Sequence, residues 1–285
     1  VSGEILMISA DDYHADCCPA PSLSSGIAKL LIRRSPRHAH HAHPRLGGER
    51  ADDPTRTMDN GSIIHKLMLG RGAGFAMIAA DDYKTKRAQE ARDEARAQGL
   101  VPVLAKTLEQ LQAAADAALA QMRAHPDCQA FFDPGRSEAV ITWQEHDIWL
   151  RCMVDRLPDD PTAPWFDIKA TQLSAAPVDY QRAIIRDHAF QRSFYLRSAR
   201  HVGYLPSAFL FVVVEQKPPH AVSVMTVAPS LAEIADREVE RAVALWRSCI
   251  RSGVWPGYAM KTAYVDAPGW MTAAEQLDEP EEELA

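Results

Sequence analysis

The sequence predicts an α/β (α+β) fold with a central mixed sheet flanked by helices, and three observations carry that reading. A helix-rich stretch from about residue 20 to 125 gives way, at about 136, to short runs of β-branched and aromatic residues. Three such runs follow one another before a long helical stretch. Two more runs and a closing amphipathic helix complete the pattern. Strands and helices in that order bury a sheet beneath helical layers.

Each element follows from local chemistry. Ser22 to Leu31 reads as a short helix entered through serines, whose hydroxyls accept from free N–H groups, and it ends near Ser35-Pro36. Arg37 to Pro54, rich in His, Pro, Gly and Arg, reads as a loop. Ile63, Ile64, Leu67 and Met68 recur at helical spacing, so Gly61 to Leu69 is a helix stopped at Gly70. Lys84 to Gln98 is a charged, exposed helix, and Thr107 to Ala124 is alanine-rich with Leu108, Leu111, Ala115, Leu119 and Met122 on one face. The strands are Glu138 to Trp143, Ile148 to Val154 and Trp165 to Lys169. A helix from about Val178 to Val202 leads to strands Ala208 to Glu215 and Ala221 to Val227, which Pro218-Pro219 turns into a hairpin. Ser230 and Glu233 have capping-box spacing at the head of a last helix running to about Arg251. The expected organisation is one domain over 1–274, with its helical part at about 20–125 and its sheet core at about 136–258. Residues 275–285 form an acidic tail expected to be disordered.

Composition narrows the function. With 285 residues, 47% of them hydrophobic and 24% charged, the chain can bury a substantial core. No apolar run approaches the about 18–20 residues of a membrane-spanning helix, and Val-Ser-Gly-Glu lacks the layout of a signal peptide, so a cytoplasmic location is expected by elimination. Five cysteines without a CxxC pair give no zinc or iron–sulfur framework. No GxxxxGK[ST] loop is present, and Gly70-Arg-Gly-Ala-Gly74 follows a helix without dinucleotide spacing. His38, His40, His41 and His43 read as a flexible loop that binds metal only adventitiously.

A net charge of −7 argues at first against a nucleic-acid partner. Removing Glu275, Asp278, Glu279, Glu281, Glu282 and Glu283 takes the chain to −1, however. Lys29 to Arg50 holds six basic residues against Glu49, and Arg182, Arg186, Arg192, Arg197 and Arg200 form a second group. A basic DNA-facing surface on an acidic protein is therefore open, with Arg33, Arg34 and Arg37 as candidate phosphate contacts.

Five features in chain order carry chemistry. His65 lies on the Gly61-Ser-Ile-Ile-His65 helix, Glu138 opens the first strand, Asp155 ends the second and Asp167-Ile-Lys169 ends the third. Gln191 and Tyr195 share a helical face at spacing i, i+4. Hydrolysis of a phosphodiester builds negative charge on phosphoryl and leaving oxygens, which a carboxylate-held hard cation stabilises. Asp155 and Asp167 supply oxygen ligands, and His65 could complete the shell. Strand alternation sets Lys169 on the side of Asp167, where it can orient water or neutralise the transition state. Glu138 could bind a metal or support its ligands.

The order Gly-Ser-x-x-His, Glu, Asp, Asp-x-Lys, Gln-x-x-x-Tyr resembles the RecB-type branch of the PD-(D/E)XK nuclease superfamily, and within it the RecE-like (exonuclease VIII-type) enzymes. Leu23-Ser-Ser-Gly-Ile27, Ser35-Pro36-Arg37-His38 and the Arg151 to Asp155 spacing add to the likeness, which spans roughly Leu23 to Tyr258. Ala170 departs from it, since the subgroup usually has Thr there; Thr171 comes one place later. The resemblance implies a restriction-endonuclease-like core, two Mg2+ or Mn2+ ions, and 5′ to 3′ cleavage of linear duplex DNA from its ends. It also implies a homo-oligomeric ring and a single-strand annealing partner in phage or prophage recombination. Under it His65, Asp155 and Asp167 are metal ligands, Lys169 is the catalytic lysine and Glu138 an auxiliary catalytic acid, while Gln191 and Tyr195 position DNA or brace the site. The alternatives are an endonuclease or single-strand-specific nuclease on the same fold, and a catalytically silent DNA-binding module.

Overall fold

The computed structural model describes residues 3–48 and 56–269. Strand β1 (Gly3–Leu6) and the short helix α1 (Ala10–His14) precede β2 (Ser22–Ser24). Ser24 caps α2 (Ser25–Arg33), and Ser35 caps α3 (Pro36–Ala42). Next come α4 (Arg56–Leu69), β3 (Phe75–Ile78), α5 (Lys86–Ala97), β4 (Val101–Leu104), α6 (Ala105–Ala124) and α7 (Gln129–Phe132). The long hairpin β5 (Gly135–Glu145) and β6 (Ile148–Pro158) leads to β7 (Trp165–Thr171). Helix α8 (Pro177–Ala183), a π-turn (Ile184–His188) and α9 (Ala189–Ala199) connect it to β8 (Phe209–Glu215), β9 (Val222–Met225) and α10 (Pro229–Ser252).

The central sheet is mixed, as predicted, in the order β1-β5-β6-β7-β8-β9, with β2 paired to β6 in parallel. Strand β7 is antiparallel to β6 and parallel to β8. Parallel neighbours need a crossover, and α8, the π-turn and α9 supply it. Strands β3 and β4 form a separate parallel pair.

Helices cover both faces, and each face has its own core. On one side Leu31 of α2, Phe194 of α9 and Trp246 of α10 pack with Trp143, Trp165 and Phe209 of the sheet. On the other, Ile63 and Ile64 of α4 and Leu111 and Met122 of α6 pack with Phe166, Ile168 and Val212. Burial on both faces explains the unbroken apolar run of β8, since no position there faces water. Among the described residues no helix is long and apolar enough to cross a membrane.

Several expectations are corrected. The His-rich stretch predicted as a flexible loop starts with α3: Pro36 presets the first turn, and the Ser35 hydroxyl accepts from the His38 N–H. Its rings are packed, His40 against Trp255 and the buried His43 against Trp246. Residues 49–55 of that loop, and the acidic tail from Glu275, lie outside the described residues. The single helix predicted over 178–202 is broken by the π-turn. The capping box is not formed, because α10 starts at Pro229 with Ala228 as its cap and places Ser230 inside the first turn. Strands β1 to β4 were not predicted; at three or four residues each, they are too short to show periodicity.

Candidate active site

The site lies where β6 and β7 part. These strands share one ladder pair, Arg156 with Phe166, and then diverge. Divergence leaves the β6-facing N–H and C=O of Ile168 without a strand partner, and buried backbone groups must be paired. Side chains take them. Asp155 Oδ2 accepts from the Ile168 N–H at 2.7 Å, and His65 Nε2 donates to the Ile168 carbonyl at 2.7 Å. The fork thus draws His65 from α4, Asp155 from β6 and the Asp167-Ile-Lys169 strand into one place. Asp155 does not end its strand as expected; it lies inside β6, where alternation breaks and Val154 and Leu157 pack into the same core.

Glu138 is also interior to its strand. Ser137 pairs with Arg156 and Ala139 with Val154, but the intervening pair of Glu138 and Asp155 is not joined. Glu138 has φ +51°, a left-handed conformation that a side chain rarely adopts outside constrained sites. Its carboxylate meets the Gly70 to Gly74 turn. A Cβ on Gly72 (φ +124°) would lie 2.8 Å from Glu138 Oε1, so that close approach requires glycine. Burial raises the Glu138 carboxyl, and His65, Arg71 and Lys66 pull against it.

Asp167 is 1% exposed and held from two sides. Gln191 Nε2 donates to its Oδ2 at 2.5 Å, and the Lys169 ammonium forms an ion pair with its Oδ1. Burial alone would lower the Lys169 ammonium, but Asp167 and then Asp155 outweigh it and raise the group. Burial pushes the Asp155 carboxyl up to about 6 against the pull of His65, with the neighbouring Asp167 adding to the rise. Tyr195 is buried, its ring edge-on to Phe209, where it can brace α9 against β8.

A carbonyl only accepts, so the bond to Ile168 fixes the proton on His65 Nε2 and directs Nδ1 towards Asp155 Oδ2, 3.6 Å away. Two electron-rich atoms so placed need a cation between them, a proton or a metal ion. An N–H held by a backbone carbonyl is also the usual support of a metal-bound histidine. The buried Asp167 Oδ1 has the Lys169 ammonium as its partner, a cation that a metal ion could share or displace. By donor chemistry, His65, Asp155 and Asp167 are the residues here that could offer ligands to a hard divalent cation. Among the described residues no three His, Cys, Asp or Glu side chains are gathered in a group that could by itself hold a metal ion, so water or substrate oxygens would have to supply much of any shell.

The predicted basic residues are dispersed, and other groups that the sequence reading gave no role lie beside the fork. Lys29 of α2 is half-buried and has no hydrogen bond or ion pair among the described residues; burial lowers its ammonium, as does Lys169, while Asp187 and Asp167 oppose this. Arg33, one turn on, is paired with Asp187 of the π-turn at 2.6 Å. Arg34 is exposed, and Arg37 turns towards the C-terminal segment, its N–H donating to the Pro256 carbonyl at 3.1 Å. Tyr180 and His188 lie beside Lys169 and Asp167, within reach of their charges. Their signal was the spacing from the Asp-x-Lys strand, which has no meaning until the crossover is known.

The family described as "PDDEXK-like domain of unknown function (DUF3799)" matches residues 28–268. A crystal structure from Eubacterium rectale, described as a "Putative exonuclease", superposes with a TM-score of 0.57 at 10% identity. The match covers 94% of this chain and 98% of that one. At that identity the likeness speaks for the fold. No curated protein sequence matches the chain.

Proposed function

Since the chain belongs to the PDDEXK-like domain family DUF3799, we propose that it is a metal-dependent deoxyribonuclease, with Asp155, Asp167 and Lys169 at its centre. One observation carries this reading: the β6–β7 fork gathers two carboxylates, a lysine and a histidine lone pair around one point. A silent DNA-binding module would have no use for buried charges that oppose folding.

The residues divide the work. A divalent ion, Mg2+ or Mn2+, held by Asp155, Asp167 and His65 would lower the pKa of bound water and offset charge on phosphoryl oxygens. Lys169, kept protonated by the two carboxylates, directs its ammonium to the attacked phosphate or the attacking water. Gln191 fixes the rotamer of Asp167, and Glu138 supplies a third carboxyl on the far side of Asp155. A second ion fits the reading that Glu138 takes part.

The finer assignment is to a RecE-like exonuclease that degrades linear duplexes 5′ to 3′ and serves recombination beside an annealing protein. The motif order supports it, and the description of the Eubacterium rectale protein, matched over nearly its full length, lends weight to its exonuclease part alone. Residues up to about 274 would then act as one nuclease domain, consistent with a family match that spans both cores.

End-labelled linear duplexes with 5′- or 3′-blocked termini, and closed circles, provide the test. The expected result is Mg2+-dependent loss of linear DNA from free 5′ ends while circles survive. Lys169→Ala and Asp155→Ala should each lose at least about 100-fold in rate. Cutting of circles would move the assignment to an endonuclease, and unchanged rates in both variants would overturn the site.

A further inference from the structure

Tyr180 and His188 stand beside the fork and take no part in the chemistry assigned so far. Tyr180 is the fourth residue of α8, which starts six residues after β7 ends, and His188 closes the π-turn. Their rings stack at 17° with centroids 5.8 Å apart, and Tyr180 Oη lies 3.1 Å from His188 Nε2. His188 also packs 5.5 Å from the ring of Phe211, the β8 residue registered opposite Asp167. The π-turn makes this possible. An extra residue in the helical turn rotates the residues beyond it, and π-turns concentrate at functional sites.

The tautomer of His188 decides what the phenol can do. His188 Nδ1 is buried without a hydrogen-bond partner. An orphaned N–H there costs more than an orphaned lone pair, so the proton belongs on Nε2. Burial, reinforced by Lys169, pushes the imidazole down to about 4 and keeps it neutral, so a single proton is in play. His188 Nε2–H then donates to Tyr180 Oη. The phenol hydrogen is left uncommitted among the described residues, on a half-buried group within the field of Lys169 and Asp167.

We propose that Tyr180 is a further catalytic residue whose hydroxyl donates a hydrogen bond to a non-bridging oxygen of the phosphate attacked at the Asp155, Asp167 and Lys169 site, and that His188 positions it. The donor gains strength as charge builds on that oxygen, so it acts on turnover more than on binding. This rests on the nuclease reading above.

The test uses the full chain and a linear duplex. DNA affinity is measured with Ca2+, and single-turnover cleavage with Mg2+. Tyr180→Phe keeps the ring and removes the donor. We expect cleavage to fall about tenfold to a hundredfold, with affinity within about twofold and an unchanged melting temperature. His188→Gln, which can still donate to Oη, should retain most activity, whereas His188→Leu should match Tyr180→Phe. A phosphorothioate replacing the contacted oxygen should slow the wild type more than it slows Tyr180→Phe; a merely structural role would leave that difference unchanged. Wild-type cleavage with no loss in Tyr180→Phe overturns the proposal alone. Absence of cleavage by the wild type with Mg2+ or Mn2+ overturns the nuclease reading and this proposal together.

Discussion

Asp155 accepts the Ile168 N–H, lies beside Asp167 and is almost wholly buried, so its ionised form is held at a cost to the fold. The sign follows from linkage. A carboxyl raised by burial to about 6 binds its proton more tightly folded than unfolded, so stability falls as pH rises from the unfolded value towards 6. Asp155→Asn removes that cost while keeping an oxygen for the Ile168 N–H. We expect it to raise metal-free stability at pH 8 by about 1–3 kcal/mol and to abolish metal-dependent cleavage. Thermal melts and cleavage assays on one preparation check both; a variant less stable than wild type would contradict the account. The same proton competes with the ion, so divalent affinity by calorimetry should weaken below about pH 6. Gly72 is the second residue where geometry predicts an effect. At φ +124°, with Glu138 Oε1 only 2.8 Å from where a Cβ would sit, Gly72→Ala should cost about 1–3 kcal/mol in urea unfolding. That His65, Asp155, Asp167 and Lys169 come together was legible in the sequence from the order of the motifs and their likeness to a nuclease family, not from residue types alone. Gly72, Lys29, Tyr180 and His188 were not, because each draws its meaning from a partner distant in the chain.

Between elements, the three-residue strand β2 persists because a buried polar knot ties it to β6. Arg151 Nη1 donates to the Ser22 carbonyl at 2.8 Å and pairs with Asp16 at 3.0 Å, while its Nε donates to the Tyr13 carbonyl at 3.0 Å. Asp16 accepts from the Ser22 N–H and hydroxyl, and the buried His43 Nε2 donates to the Ser22 carbonyl at 3.0 Å. Asp16→Ala would leave Arg151 buried and uncompensated, with an expected loss of about 3–5 kcal/mol in the denaturant midpoint analysis. Because Arg151 lies on the same strand four residues before Asp155, the variant should also lower cleavage. A loss under about 1 kcal/mol would show that water replaces the carboxylate. This knot shows why some elements were hidden. Strand β2 and helix α3 are made by tertiary contacts to Arg151, Trp246 and Trp255, and the π-turn is set by the site it borders; none leaves a periodic trace. Long amphipathic α6 and α10 and the doubly buried β8 were legible because their hydrophobic pattern alone determines which face is buried.

At the scale of the whole molecule, the charge of the chain and the charge of the fork oppose one another. The formal net charge is −7, yet beside the fork lie Lys29 and the cluster of Arg33 and exposed Arg186 that share Asp187. DNA approaching from a distance meets the net charge, and DNA at contact meets the rim. Six of the acids fall within 275–285, and their removal takes the net charge to −1 without touching any residue of the fork. Truncation after residue 274 should therefore speed association with duplex DNA several-fold at about 0.05 M salt and leave dissociation and single-turnover cleavage unchanged. Screening shortens the reach of charge to about 8 Å at 0.15 M and less beyond, so the two association rates should converge as salt rises. Stopped-flow binding across a salt series measures this directly. Rates that stay apart at high salt, or a change in dissociation, would mean that the acidic segment acts by contact rather than through its field.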